Sequence, residues 1–432
     1  MKSGVMKETP SGKLLLIPIL VATVINMLDG FDILVIVFTG PKIAAEWGLE
    51  PSQLGILFSS GLAGMVIGSL VIAPFADRIG RRKIVLLCLT IMSCGMFLSS
   101  WSHNLAELVS LRVITGLGIG GMLASLNTVV NEYSSGNQKG FAVSLFSIGY
   151  PIGATIGGFV TIYLMGEFGW RSVFIFGGAI GLLMIPVVYA LMPESIEFLL
   201  IKRSPDALRK INLLRQRMGD PELEQLPEAL ARPKNSVGLR GLFSPALMRS
   251  TLMICACYFG VMMTFYFILN WTPKVFVDLG MSINTGISAM LILNISGMAG
   301  GLFVGWLSRR WDIRLVSFAA TSLFFICVIC FSLIPANLLL LVLISALTGF
   351  VMSGVMTTLY ATVPMIYPAE VRATGTGVAI SVGRLGATLG PAVAGGLMAF
   401  GWDRPLYYFC LALPLLIAAV LIRRIPLVKA PL

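Results

Sequence analysis

Charge is what this sequence has least of. Only 12% of its residues are Asp, Glu, Lys or Arg, against 57% hydrophobic, whereas a soluble domain carries about twice that share of charge. A water-facing globule is excluded, and the natural solvent is lipid. Histidine is almost missing: His103 stands alone, in a polar break between apolar runs, and reads as a surface residue rather than a proton relay. The seven cysteines all fall in apolar runs. Cys327 and Cys330 have C-x-x-C spacing but no His or acidic neighbour, so packing is expected there rather than redox or zinc chemistry. No G-x-x-x-x-G-K-[ST] occurs, and Gly116, Gly118, Gly120 and Gly121 sit in an apolar run with no preceding strand. Nucleotide chemistry is therefore not expected, and these glycines instead let two helices approach closely. With no nucleophile–base set and no ligand cluster, the reading assigns no catalytic residue, no metal and no cofactor.

Long apolar runs fill the chain instead. A membrane crossing takes about 20 apolar residues, and such runs lie near 15–38, 52–75, 84–101, 105–130, 140–165, 172–192, 249–272, 286–308, 315–335, 337–362, 373–399 and 405–423. The fold class expected is an all-α integral membrane protein with twelve transmembrane helices. The first run continues past Asp29 to Phe38 without an A-x-A-like cleavage site and reads as a retained helix. A polar stretch, 193–248, divides the spans six and six. It predicts an N-terminal lobe over 1–192, a cytoplasmic loop over 193–248 with one or two amphipathic helices around 204–218, and a C-terminal lobe over 249–432.

The net charge of +11 would suit nucleic acid if the basic residues clustered, but they alternate by loop. Lys42, Arg171, Lys274 and Arg404 fall on one side, and Arg112 and Arg384 fall inside spans. Every other one of the 31 lysines and arginines falls on the side of the termini and the central stretch. The positive-inside rule makes that side cytoplasmic, so the basic excess is a topology signal and no nucleic-acid partner is expected.

The two halves repeat. Thr115-Gly116 recurs as Thr348-Gly349, Ser147-Ile148-Gly149 as Ser381-Val382-Gly383, Gly153-Ala154-Thr155 as Gly386-Ala387-Thr388, and Phe168-Gly169-Trp170 as Phe400-Gly401-Trp402. The separation is roughly 233 residues each time. An even number of spans per unit keeps both halves in one orientation, which predicts two pseudo-symmetric lobes with a site between them near mid-membrane.

Of the 20 acidic residues, only Asp29 and Asp32 lie well inside an apolar run. Each carboxylate costs roughly 2.5–3.5 kcal/mol at a helix centre, so two in one span call for a function. Their i, i+3 spacing puts them on one helix face, with Asn26 a turn earlier. Burial and a like-charged neighbour both favour the protonated carboxyl, which suits the pair to bind and release a proton. The matching cation is Arg384, flanked by Gly383 and Gly386, whose planar fork suits a carboxylate and whose face suits a ring. Arg112 is the second intramembrane cation, and for both arginines the alternative is pairing with Asp29 or Asp32. Aromatic residues placed to face a ring are Phe31, Tyr150, Tyr258, Tyr266, Trp271 and Tyr360, with Tyr150 set opposite Arg384 by the repeat.

After the second run comes Asp77-Arg78-Ile79-Gly80-Arg81-Arg82. It resembles the cytoplasmic loop motif of the major facilitator superfamily, with Ala73 where that motif usually has Gly. Gly305-x-x-x-Arg309-Arg310-Trp311-Asp312 is a degenerate second copy, and Arg112-x-x-x-Gly116 is similar to the span-four pattern. Within the superfamily, Leu28-Asp29-Gly30-Phe31-Asp32, Tyr367-Pro368-Ala369-Glu370-Val371-Arg372 and Gly383-Arg384-Leu385-Gly386 resemble the aromatic acid:proton symporters, over nearly the whole chain.

The resemblance implies proton-coupled uptake of a hydroxybenzoate-like organic anion through a bacterial-type inner membrane, by a monomer with both termini cytoplasmic. It implies Asp29 and Asp32 as proton-coupling residues. Arg384, Arg112, Asn26 and the six aromatics are substrate-binding candidates. Asp77, Arg78, Gly80, Arg81, Arg82, Glu132, Glu370 and Arg372 are candidates for the conformational switch. A carrier of another organic acid or a sugar, an exporter of the same fold, and a non-transporting sensor are the competing readings.

Overall fold

A computed structural model describes residues 16–134, 139–203, 205–218, 221–226, 239–368 and 371–426. Among the described residues twelve helices are long and apolar enough to cross a membrane. In the first lobe they are α1 (Leu16–Trp47), α2 (Pro51–Val71), α3 (Arg81–Ser99), α4 (Leu105–Glu132), α5 (Lys139–Phe168) and α6 (Trp170–Leu191). In the second they are α7 (Met248–Asp278), α8 (Ile283–Leu307), α9 (Ile313–Leu333), α10 (Leu338–Ile366), α11 (Arg372–Ala399) and α12 (Arg404–Arg424). The chain is a multi-pass membrane protein of two six-helix lobes. Ile196–Lys202 and Ala207–Met218 are short helices between them, the second lying where the sequence pattern places an amphipathic helix. It buries Ala207, Ile211 and Leu214 in the cluster that holds Ile84, Val130 and Tyr133 of the first lobe.

Two boundaries differ most from the sequence expectation. The runs expected to stop at 38 and 272 continue as helix to Trp47 and Asp278, so Lys42 and Lys274 stand on helix ends rather than in loops. Pro41 and Pro273 lie inside these extensions and read in sequence as breakers. Both are buried, and packing holds the backbone helical past each ring.

Backbone contacts make the repeat physical. Within the first lobe α5 lies so close to α1 that a β-carbon on Gly153 would strike the Met27 carbonyl, and α4 so close to α2 that one on Gly116 would strike the Gly61 carbonyl. In the second lobe Gly386 of α11 stands in the same way against Phe259 of α7, and Gly349 of α10 against Leu293 of α8. These are positions that the repeat pairs with one another, Gly153 with Gly386 and Gly116 with Gly349. The turn glycines match too: Gly169 and Gly401 both have φ +78°, left-handed backbone where a side chain would be strained.

The lobes meet through α2 with α11, α5 with α8, and α1 with α7. The closest of these contacts lie toward the face opposite the basic loops. There Gly55 leaves room for the Pro391 carbonyl and the Ala392 backbone, Gly395 faces the Pro51 carbonyl, and Gly158 faces Leu291. Trp271, 1% exposed, donates its indole N–H to the Pro391 carbonyl at 3.1 Å and meets Phe58 edge-on at 5.4 Å. At the basic face, by contrast, the Asp77 carboxylate is 60% exposed.

Candidate functional site

α1 carries Asn26, Asp29 and Asp32 on one buried stripe, and each meets a different environment. Asn26 donates to the Phe146 carbonyl of α5 at 2.7 Å, which ties the two helices. Asp32 is 3% exposed and pairs with Arg112 of α4 at 3.1 Å. Arg112 also donates to Ser99 at 3.2 Å and Thr115 at 3.0 Å and lies over the Phe174 ring at 5.1 Å. An ion pair removed from water is tolerable only when its remaining hydrogen-bonding groups are met, and this one is largely satisfied. Of the two readings of Arg112 in the sequence, the structure shows the pairing one.

Asp29, equally buried, has an oxygen with no hydrogen-bond partner. It lies within Coulombic reach of Arg384 on α11. Tyr266 of α7 and Tyr360 of α10 share that reach of Arg384, and Tyr150 of α5 lies near both Asp29 and Tyr266. One acid and one tyrosine from the first lobe thus face one arginine and two tyrosines from the second. Among the described residues no carboxylate forms an ion pair with Arg384. Tyr360 sits within a transmembrane helix and is 47% exposed. Tyr258 stacks edge-on behind Tyr360 at 6.0 Å. Phe31 and Trp271 are not brought to this group: Phe31 is packed beneath Gly157 and against Phe176, and Trp271 belongs to the contact with Pro391.

At the basic face Arg81 pairs with Asp77 at 3.0 Å and with Glu197 at 3.2 Å. The Arg82 backbone N–H donates to Glu194 at 3.1 Å, and its guanidinium reaches the Tyr189 carbonyl. Gly80, at φ +112°, leaves space for the Glu194 carboxylate. Glu132 accepts from Ser195 at 2.7 Å and from the Ile196 N–H at 2.9 Å. Arg78 is exposed, and its guanidinium stacks 6.0 Å from the Phe75 ring. Arg372 donates to the Tyr367 carbonyl at 3.3 Å, and Glu370 lies outside the described residues. In the second copy of the motif Arg310 lies over the Trp306 ring at 4.5 Å, and Asp312 pairs with Arg314 just beyond it at 3.0 Å, which holds the Asp312 carboxyl below the usual carboxylate range.

A profile of the Major Facilitator Superfamily matches residues 21–337 and 314–431. The chain belongs to this superfamily of transporters. It is 31% identical to the gallate transporter of Pseudomonas putida, covering 94% of this chain and 92% of that one. It is 28% identical to the 4-hydroxybenzoate transporter PcaK of Acinetobacter baylyi, covering 93% and 89%. The partially occluded, inward-open xylose transporter XylE from E. coli superposes with a TM-score of 0.73 at 17% identity, covering 96% and 99%.

For this superfamily member the sequence reading named the basic-face motif but missed its partners, Glu194, Ser195 and Glu197. The available signal is local: two carboxylates one turn apart, Glu194 and Glu197, just beyond the sixth span, on the same side as Arg81 and Arg82. Ser195 is also an N-cap, accepting from the Phe198 N–H at 3.2 Å.

Proposed function

We propose that the chain takes up an aromatic carboxylate together with a proton, by alternating exposure of a site between lobes 1–192 and 249–432 that 193–248 connects. The observation that carries this reading is the meeting of Arg384, without a carboxylate partner, with Asp29, which keeps an unpartnered oxygen, across the lobe interface among tyrosines. Arg384 takes the carboxylate in its planar fork, and the tyrosines supply ring contacts. The relatives' substrates, gallate and 4-hydroxybenzoate, have this chemistry. The excess of Lys and Arg on one face supports cytoplasmic termini in a bacterial-type inner membrane, with a monomer as the working unit. In that orientation the contact of α2 with α11 closes the outside.

In the empty carrier each buried acid has a cation, Asp32 the paired Arg112 and Asp29 the nearby Arg384. A substrate anion on Arg384 removes the positive potential that favours ionised Asp29, so one proton is taken up and shared by Asp29 and Asp32, a turn apart. Proton and substrate thus favour each other's binding, and the doubly loaded form is the one that rocks.

The experiment is uptake of radiolabelled 4-hydroxybenzoate and gallate into energised vesicles, beside counterflow exchange at equal pH. Asp29→Asn is expected to abolish uphill uptake while exchange continues, and a protonophore to act on the wild type in the same way. Uphill uptake that survives both removes the proton from the mechanism; exchange of neither compound removes the aromatic acid.

A further inference from the structure

Beside the Asp32–Arg112 pair lies a cavity of about 20 Å³, enough for one water molecule. Ten of its eleven lining residues belong to the first lobe, among them Asp32, Phe58, Gly61 and Arg112; the eleventh, Asn270 of α7, is the only one from the second. Polar groups converge on it. Asp32 uses one carboxylate oxygen for Arg112, and nothing among the described residues donates to the other. Arg112 Nε is buried without a partner. Asn270, 3% exposed, donates one amide N–H to the Tyr266 carbonyl at 2.7 Å, and its carbonyl oxygen accepts nothing among the described residues.

Asn270 is next in sequence to Trp271, which closes the face opposite the basic one by its bond to Pro391. Phe58 joins the two features, since it lines the cavity and packs against Trp271. Two residues further, Pro273 lacks the N–H that would bond the Leu269 carbonyl, so α7 bends most easily here.

We propose that a single water in this cavity bridges Asp32 to Asn270 across the lobe interface, and that through Asn270 the proton on the acid pair controls how firmly α7 holds the outer closure. The inference rests on the proton-coupled reading above. The water accepts from Arg112 Nε–H and donates to Asp32 and to the Asn270 carbonyl, three partners in all, the usual number for a buried water. With Asp32 ionised the bridge is charge-assisted. When the shared proton resides on Asp32 that bond becomes neutral and about half as strong, and one donor of the water loses its acceptor. The closed face is then firm when the proton has gone and loose when it has arrived, so by linkage the outward-closed form holds the proton less tightly and yields it on the cytoplasmic side.

Arg112 of α4 is the charged group in contact with Asp32, and Asp29 the nearest other acid. α2 brings only apolar residues to the cavity, α3 and α6 reach Asp32 through Arg112 by Ser99 and Phe174, and α7 brings Asn270.

The test is hydrogen–deuterium exchange of the α7 segment 267–279 in the full chain in lipid nanodiscs across pH 5.5–8.5, expressed as protection so that intrinsic pH dependence divides out. In the wild type, protection is expected to fall about tenfold from the alkaline to the acid end, a coupling of ordinary size. Asn270→Leu, similar in volume but without the carbonyl, is expected to give a flat profile, and Asn270→Ser, which keeps an acceptor, to restore part of the slope. If Asn270→Leu does not fold, Asn270→Ala makes the same comparison. A wild-type slope retained in Asn270→Leu or Asn270→Ala, or equal loss in the Ser and apolar variants, overturns the inference. A flat wild type with protonophore-sensitive uptake overturns this link and leaves proton coupling standing; a sloping profile with protonophore-insensitive uptake does the reverse.

Discussion

Asp29 and Asp32 stand three residues apart on one helix in opposite circumstances. Asp32 is held by Arg112, itself held by Ser99 and Thr115, while Asp29 keeps an unpartnered oxygen and lies within Coulombic reach of Arg384 in the other lobe. Removing one member of a buried pair leaves the other charged and unpaired, at about 3 kcal/mol or more, whereas replacing both with apolar groups is far milder. Arg112→Met alone is therefore expected to lower the thermal unfolding midpoint in detergent by several degrees. The double variant Arg112→Met with Asp32→Leu is expected to recover most of that loss, and equal midpoints for single and double variants would show that the pair carries no such energy. Carboxylates in an apolar run are conspicuous, so both acids were legible in the sequence. Which of them Arg112 would take was not, because that depends on the rotation of α4 about its axis relative to α1.

At the scale of helices, the seams within each lobe differ from the seam between lobes. Gly153 on Met27 and Gly386 on Phe259 fix pairs that move together; Gly55 and Gly395 sit where α2 and α11 must part if the face opposite the basic loops is to open. A side chain at Gly55 has backbone on the facing helix as its obstacle and cannot be absorbed by a rotamer change. Gly55→Leu is expected to widen the distance between spin labels at positions 50 and 403 by several ångströms and to shift the population toward a form open at that face, which pulsed electron-spin resonance reads directly. An unchanged distance distribution would mean that the seam is not the closure. The pairing of the halves was legible because Thr115-Gly116 and Gly153-Ala154-Thr155 recur with their glycines intact. The lengths of α1 and α7 were not, because Pro41 and Pro273 look like stops unless tertiary burial is known.

For the molecule as a whole, charge balance sets what drives it. If the acid pair takes one proton for each monovalent carboxylate on Arg384, the loaded carrier moves with no net charge added. Uptake should then rise with an inward proton gradient and stay indifferent to an imposed potassium diffusion potential of about 100 mV, which acts with roughly 2.3 kcal/mol on each uncompensated charge. A strong response to the potential alone would require a second proton or a different charge on the substrate.

In the site proposed above Asp29 belongs to one lobe and Arg384 to the other, so neither half possesses all of it. On that proposal the site is assembled anew in each cycle, and the cargo acts as a temporary fastener between two rigid castings. A fastener of the wrong length still engages one side. A carboxylate whose rigid body spans beyond the tyrosines would seat on Arg384, keep the lobes from meeting around it, and occupy the carrier without ever crossing.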